Sequence, residues 1–522
     1  MEGEEGRSGE SASGLIRLLS RPSASIACAL LIGVFYLTTI RAGHAWGDDF
    51  SLYIRHAQNI VHGLPYSETG YIYNPHNPDV GPKLYPPGFP LLLAPVIGIF
   101  GSHLRPMKIL VIALFAGSLL VMIFLFRNVL SMSYVAALVL IVGLNPFFWQ
   151  FKDQILSDIP FLFFALLSLG LFAYADASDG SARRRSVLAL LSGVAAYAAY
   201  ATRTLGFTLI PCFVVHDLWR FRRLRSTATL ATTVPIALAT CQYMLWYRDT
   251  SYLDQIAHPV SVAVHNAPVY LRALSDLWEN GYSTLVKKIA FLVAGALAAG
   301  GYVTSRGAGL SLFHLFPLLY VVPVIMWPAD EGMRLLIPIA PFYFCFCLLG
   351  VCRIDAAVAR RWKHNDAVLV VFLASVLASY AFRYSTLQFG PLREGIAKPE
   401  SRQLFEFITA STDPDDVLIF SRPRALALMT GRRVSGGFRA ANPCGVWEYN
   451  RKIGASYIVT GPPLEPVDED VLDLREFVAR FTDALQPVLV NADFAVYRIR
   501  RDPCQLASSR APVFEGFKLP NR

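Results

Sequence analysis

The stretch SASIACALLIGVFYLTTI (residues 23–40), followed after RAGHA by WGDDFSLYIRHAQNIVHGLPY (residues 46–66), sets the class of this chain. The first run carries no charge, and at about 1.5 Å per residue it approaches the roughly 30 Å of a bilayer's hydrocarbon core. The second opens on two adjacent carboxylates and then sets Phe50, Tyr53, Ile54 and Ala57 at helical spacing. That pattern belongs to an amphipathic helix with one apolar face. The chain therefore reads as a membrane helix followed at once by a helix lying along the membrane surface.

Working outward, the residues before the first run are polar and of mixed charge, ending with Arg17 and Arg21. Arg41-Ala42-Gly43-His44-Ala45 is a poor cleavage site, so the first helix is read as retained, with a cytoplasmic N-terminus. Further apolar runs lie near 109–126, 133–150, 159–175, 186–202, 204–219, 227–247, 289–304, 309–327, 335–352 and 367–382. The total is about eleven crossings. With the N-terminus inside, Arg127, Arg183 to Arg185, Arg220, Arg222, Arg223, Arg225, Arg306, Arg353, Arg360, Arg361 and Lys363 all fall on the cytoplasmic side. Lys287 and Lys288 are the exception. This parity requires the run from Gly88 to Gly101, interrupted by Pro95, to lie at the interface rather than to span. Residues 41–108 then form one large external loop with two interfacial helices. Between them Leu64 to Tyr85, rich in Pro, Asn, Gly and Tyr, reads as ordered irregular coil.

Of the 522 residues 54% are hydrophobic and 16% charged, against about a quarter charged in an average soluble domain. The net charge of +9 is dispersed in short clusters between apolar runs, so it marks topology and not a nucleic-acid footprint. Six of the eight cysteines (Cys28, Cys212, Cys241, Cys345, Cys347, Cys352) fall in or beside apolar segments, where a thiol behaves as a small hydrophobe. Cys345, Cys347 and Cys352 lack partners at zinc-ligand spacing.

After residue 385 the pattern changes to amphipathic segments (RQLFEFITAST, RPRALALMTGRR, VWEYNRKIG, DLREFVARF) alternating with strand-like runs (VLIF, SYIVTG, PVLV, AVYRI). The expected organisation is a cytoplasmic tail (1–22), an all-α membrane part (23–385, including the loop 41–108) and a small extracytoplasmic α/β domain (386–522). Cys444 and Cys504 lie in that outer domain, where a disulfide is permitted.

Ionisable residues near the external helix ends are the informative ones, since charge at membrane depth is costly. Asp48 and Asp49 open the first interfacial helix, Asp158 opens the span beginning SDIPF, Arg203 lies at an external turn and Arg334 at the start of a later span. Asp48 and Asp158 also suit helix caps, and the arginines suit interfacial anchors. Their convergence on one leaflet favours chemistry: sugar transfer from a lipid phosphate needs a carboxylate for the acceptor and cations for the departing phosphate.

These elements in this order resemble the GT-C superfamily of polyprenyl-phosphate-sugar-dependent glycosyltransferases, in particular bacterial relatives of the protein O-mannosyltransferases and the lipid A aminoarabinose transferases. The matching stretches are WGDDFSLYIRHAQNIVHGLPY, YPPGFPLLLAPVIGIFG (85–101), SDIPF (157–161), ATRTLGFTLIP (201–211) and MRLLIPIAPFY (333–343), within roughly residues 20 to 385. The resemblance implies that Asp48 is the catalytic carboxylate, with Asp49 an adjacent candidate, and that Asp158 supports the acceptor or Asp48. It implies donor-phosphate roles for Arg203 and Arg334. The aminoarabinose branch has Lys before its Pro pair, whereas this chain has Tyr85 there and Lys83 two residues earlier; both are kept as phosphate-side candidates. Tyr53 and His56 either face the same cavity or pack in the core.

The implied reaction is inverting transfer from a polyprenyl-phosphate-linked sugar to a lipid, glycan or protein acceptor outside a bacterial inner membrane. No cofactor is required; some relatives hold a divalent ion between acidic residues, and Asp48 with Asp158 offers ligands for one. The competing reading is a transporter or flippase of a lipid-linked sugar, against which stand the absence of an inverted repeat and the one-sided placement of the charges. The loops Leu64–Tyr85 and Asp249–Tyr282 are the expected acceptor-facing segments.

Overall fold

The computed structural model describes residues 19–77, 80–177, 181–246, 259–306, 310–327, 331–362, 366–438, 443–462 and 474–504. The chain divides into two compact units, Met1–Ala42 with Pro86–Pro391, and Gly43–Tyr85 with Leu392–Arg522. The sequence reading differed: it left the whole loop 41–108 with the membrane part, whereas residues 43–85 belong with the C-terminal unit.

In chain order the helices up to the second unit's return are α1 (Pro22–Thr38), α2 (Asp49–His62, in the second unit), α3 (Gly88–Phe100), α4 (Leu104–Phe126), α5 (Met132–Gly143), α6 (Pro146–Phe151), α7 (Asp158–Ala177) and α8 (Ala182–Thr202). They continue with α9 (Leu209–Phe221), α10 (Ser226–Leu245), α11 (Pro259–Ala273), α12 (Thr284–Ser305), α13 (Leu312–Ile325), α14 (Ala340–Trp362) and α15 (Ala367–Thr386). Each apolar run expected to cross thus contains a helix among its described residues. Six segments are long and apolar enough to cross a membrane by length and composition: α4, α7, α10, α12, Gly332–Arg360 and α15. Four shorter apolar helices accompany them: α1, α3, α5 and α13.

The expected run 133–150 is broken between α5 and α6. Pro146 cannot continue a helix, and the Asn145 side chain accepts from the Phe147 amide to start a new one. The run from 204 likewise begins as a 3-10 turn, Thr204–Thr208. Lys287, the exception to the charge rule, is neutralised locally by Asp276 at 2.6 Å and Glu279 at 3.0 Å.

Small residues let the helices of the first unit meet closely, the usual device where lipid supplies no hydrophobic drive. On α7 and α8 the Ser168 hydroxyl donates to the Ser192 carbonyl and the Ser192 hydroxyl donates to the Ser168 carbonyl, both at 2.9 Å. This double bond between antiparallel helices sets the start of α7 beside the end of α8. Between α12 and α14 a methyl group added at Gly350 would lie 2.3 Å from the Leu297 carbonyl oxygen, and one at Gly301 2.0 Å from that of Phe346. A fully buried carboxylate, Asp153, ties α1, α4 and α6 together through Arg41 (2.7 Å), Lys152 (2.7 Å) and Lys108 (3.5 Å).

The second unit is built on a six-stranded sheet of order β1-β3-β2-β4-β6-β5. Its elements are β1 (Tyr71–Ile72), α16 (Pro399–Ser411), β2 (Val417–Ile419), α17 (Pro423–Thr430), β3 (Arg433–Ser435), α18 (Pro443–Ile453), β4 (Ala455–Thr460), α19 (Leu474–Arg480), β5 (Leu485–Val490) and β6 (Ala495–Ile499). Strands β1, β3, β2 and β4 run parallel, and β6 runs antiparallel to both of its neighbours, β4 and β5. The segments expected in this domain are all present. β1, however, comes from the stretch 64–85, read from sequence as irregular coil; Asn74 and Asn77 extend it by donating to the Gly436 and Gly437 carbonyls at 2.9 and 2.7 Å. Helix α2 packs within this unit, burying Phe50, Tyr53, Ile54 and Ala57 as its periodicity required. Just before it, the Trp46 ring sits among Phe405, Phe420 and Phe494, and its indole N–H donates to Ser401 at 3.1 Å. A disulfide joins Cys444 to Cys504. Of the loop Asp249–Tyr282, residues 249–258 lie outside the described residues.

Gly350→Leu is expected to lower the midpoint of thermal unfolding in detergent, with an overpacking cost of at least about 1–3 kcal/mol. Gly295→Leu is the control, because nothing lies within 4 Å of its added carbon. Equal midpoints for the two variants would remove the close α12–α14 approach.

Candidate functional site

Apart from Lys83, the charged residues singled out by the sequence fall into two constellations, one in each unit. In the second unit the constellation begins with Asp48, the residue preceding α2. The capping reading fails for its side chain, which makes no hydrogen bond to its own helix. Instead Asp48 Oδ1 accepts from the Ala425 amide at 2.9 Å, at the start of α17, and Oδ2 accepts from Arg424 Nε at 2.9 Å. Helix N-termini that follow parallel strands attract anions; here the anion is the protein's own carboxylate.

Arg424 uses the rest of its guanidinium as fully. Nη1 donates to the Tyr85 hydroxyl at 2.8 Å, and Nη2 donates to Asp49 Oδ1 at 3.2 Å and to the Val80 carbonyl. The Tyr85 hydroxyl in turn donates to Asp49 Oδ1 at 2.7 Å. Burial raises the Asp48 carboxyl above its ordinary value, and the Arg424 charge with its hydrogen bond opposes it. Both Asp48 oxygens thus accept hydrogen bonds from donors at the start of α17. The Asp48 side chain is 4% exposed and that of Arg424 3%, whereas Asp49 is 21% exposed.

His56 and Tyr53 support this group. The Tyr85 amide can only donate, so His56 Nε2, 3.3 Å away, is its acceptor, and the proton sits on Nδ1, which donates to the Tyr66 carbonyl at 2.9 Å. Burial pushes the His56 pKa down to about 3, keeping the ring neutral. The Tyr53 ring stacks on Tyr85 with centroids 4.5 Å apart. Lys83 stands outside the cluster: its side chain is exposed and makes no hydrogen bond or ion pair to the described residues.

In the first unit, Asp158 opens α7 and is 1% exposed. Its Oδ1 accepts from Arg203 Nη1, at the end of α8, and its Oδ2 lies 3.5 Å from Arg334 Nη2. Arg334 stands on the 3-10 turn Gly332–Ile339 and also binds Glu331 at 2.7 Å. The Tyr320 hydroxyl of α13 is buried without a hydrogen-bond partner among the described residues.

Three of the four residues expected to converge, Asp158, Arg203 and Arg334, therefore meet in one network; Asp48 belongs to the second unit, with Asp49, Tyr53, His56 and Tyr85. Sequence reasoning missed Arg424 and Glu331. The signal for Arg424 was an arginine within the run PRALAL, where every residue from Pro423 to Ala427 is buried; that for Glu331 was its position three residues before Arg334. Among the described residues no group of three or more His, Cys, Asp or Glu side chains is placed to hold a metal ion. Asp48 and Asp158 each face a guanidinium, which suits neither to a divalent cation, so the metal option raised by the sequence does not fit these residues.

No family model matches the chain, and no curated protein matches it in sequence. Solved structures do. ArnT from Cupriavidus metallidurans bound to undecaprenyl phosphate matches at 12% identity and a TM-score of 0.55, over 91% of this chain and 97% of that one. The Archaeoglobus fulgidus oligosaccharyltransferase tethered with an acceptor peptide matches at 12% identity and a TM-score of 0.52, over 84% of this chain and 69% of that one. The same enzyme in complex with zinc and sulfate matches at 14% identity and a TM-score of 0.52, over 84% and 68%. The chain has the GT-C fold, and with its apolar helices it is an integral membrane protein.

Removing one partner of a buried ion pair strands the other charge, at about 3–5 kcal/mol. Arg424→Gln and Asp48→Asn should each lower the unfolding midpoint, and the double variant should lower it by less than the two added together. Strict additivity would show that the pair is not coupled. His56 provides a pH test. Its folded value lies below the unfolded 6.5, so its share of stability is complete above pH 6.5 and is lost as pH falls toward about 3. The slope is about 1.4 kcal/mol per pH unit. His56→Gln keeps a donor and an acceptor without titrating and should flatten that part of the stability profile; an unchanged profile would exclude a buried neutral His56.

Proposed function

We propose that this protein is a membrane glycosyltransferase that moves a sugar from a polyprenyl-phosphate-linked donor to an acceptor hydroxyl on a lipid, glycan or protein, on the extracytoplasmic side. The observation that carries this reading is the Asp158–Arg203–Arg334 network, drawn from three separate segments of a GT-C fold. Two guanidiniums at one carboxylate suit an anion that exchanges for it, and Arg forks match phosphate oxygens. ArnT, which shares the fold over most of both chains, was solved with undecaprenyl phosphate bound.

The chemistry follows from the leaving group. The bond between the anomeric carbon and the phosphate oxygen breaks as the acceptor oxygen attacks from the opposite face, giving inversion. The electron pair departs on the polyprenyl phosphate, whose charge Arg203 and Arg334 stabilise as it develops. A carboxylate of the adjacent Asp48–Asp49 pair takes the acceptor proton. Asp158 keeps the two arginines apart and oriented until the phosphate arrives.

The full chain in liposomes, supplied with polyprenyl-phosphate sugars, should consume the lipid-linked sugar, and mass spectrometry of cells with and without the gene should identify the glycan that receives it. Sugar carried across the bilayer with no new glycosidic bond would instead identify a transporter. Arg334→Ala should raise the apparent KM for the lipid donor roughly 10- to 100-fold, the worth of a charged hydrogen bond. An unchanged KM would take Arg334 out of donor binding.

A further inference from the structure

We propose that the end of α7 remote from Asp158 organises a binding site for an anionic phospholipid, with arginines from the ends of α4, α8, α9 and α10 around its phosphate and the exposed apolar side chains of α9 along its acyl chains. A topology signal needs only arginines on one side of the membrane; here they are also brought together.

Two side chains near the C-terminus of α7, Tyr174 and Asp176, gather the ends of four other helices. The Tyr174 hydroxyl accepts from Arg184 of α8, whose guanidinium lies 5.2 Å from the centre of the Tyr174 ring. The same ring meets Phe124 of α4 at 5.4 Å, and Arg127, three residues on, lies 4.5 Å over Phe124. Asp176 pairs with Arg220 of α9 at 3.4 Å and with Arg225, just before α10, which Asp217 of α9 also holds at 2.6 Å. Four more arginines flank these: Arg183 and Arg185 beside Arg184, and Arg222 and Arg223 between α9 and α10. All four are exposed, and their side chains meet no carboxylate among the described residues. Eight arginines thus face two carboxylates among the described residues, Asp176 and Asp217, and both of those are already held.

Two further features point to a lipid. Arg222 closes α9 with a φ of +57°, in the left-handed region where glycine is the usual residue. The sequence therefore sets a charged side chain where the backbone disfavours any side chain. The neighbours are apolar as well: Leu218, Trp219 and Leu224, on either side of Arg220 to Arg223, are 45%, 52% and 50% exposed. A soluble anion would leave these three in water. A phospholipid matches both halves, its phosphate to the guanidiniums and its chains to the apolar side chains, with the indole at headgroup depth. At 1.5 Å per residue, Asp176 stands about 27 Å along α7 from Asp158, so this patch and the Asp158–Arg203–Arg334 network occupy opposite ends of one helix long enough to cross a membrane. Lipid binding here is independent of sugar transfer.

The test titrates the full chain in detergent with cardiolipin, a phospholipid carrying two phosphates, and follows thermal unfolding and native mass spectrometry. The unfolding midpoint should rise saturably with cardiolipin and not with phosphatidylcholine, and salt at about 0.5 M should weaken the effect. Arg222→Gln with Arg223→Gln should weaken cardiolipin binding roughly 10- to 30-fold. Arg480→Gln with Arg501→Gln, which removes the same charge from the second unit, should leave it unchanged. Arg222→Gly should raise the midpoint in the absence of cardiolipin, by relieving the left-handed residue, and diminish the rise that cardiolipin produces. Equal cardiolipin affinity in the two double variants, an undiminished response in Arg222→Gly, or a response to phosphatidylcholine as large as that to cardiolipin would overturn the site. Displacement of cardiolipin by glycerol 3-phosphate at equal concentration would overturn the lipid as its ligand.

Discussion

A charge removed from water must be met by another charge, and the cost of failing to do so runs to several kcal/mol per ion. That constraint organises both units of this protein. Asp153 is met by three cations, Asp158 by two arginines, and Asp48 by Arg424 with a helix amide. Each of these carboxylates is 5% exposed or less. Each joins elements that hydrophobic packing alone would leave free to slide, since helices in lipid gain little from burying apolar surface against one another. The ion pairs supply register; the serine pair of α7 and α8 and the glycine contacts of α12 and α14 supply proximity.

The consequences differ between the sites. Asp153 faces an excess of cations among groups almost wholly buried, an arrangement that holds helices. At Asp158 the arginines are 17% and 26% exposed while the carboxylate is closed off, so the cations face outward and the anion inward. That polarity is what an anionic ligand would require. At Arg424 it is reversed: the cation is sealed, one carboxylate is sealed with it, and the other carboxylate reaches the surface. One constellation is thus poised toward negative charge and the other presents it.

Local pattern carried most of the architecture. The 3.6-residue period of Phe50, Tyr53, Ile54 and Ala57 put the right face of α2 inward, and uninterrupted apolar runs located the long helices, because both signals are written within a dozen or two residues. Proline chemistry at Asn145-Pro146 was legible too, yet the run was read through it, since apolar length outweighed a single breaker. β1 was hidden for a different reason. Two residues hold no alternation, and Tyr71-Ile72 is a strand only because Val434 and Ser435 lie beside it. The same remoteness hid Arg424, which is 376 positions from the carboxylate it meets. Long-range pairing of this kind leaves one trace in a single sequence, a charged residue where the pattern calls for an apolar one.

That trace makes Arg424 informative about the second unit as a whole. An arginine buried among Pro423, Ala425, Leu426 and Ala427 would destabilise an isolated α/β domain, because the guanidinium's partners, Asp48, Asp49, Tyr85 and the Val80 carbonyl, all come from residues 43–85. The C-terminal stretch therefore does not complete its own core. It needs the early loop for a strand as well as for countercharge, and the loop needs it for the hydrogen bonds of Asp48. Two segments separated in the chain by helices α3 to α15 thus depend on each other to fold, and the carboxylate pair is assembled only when both are present.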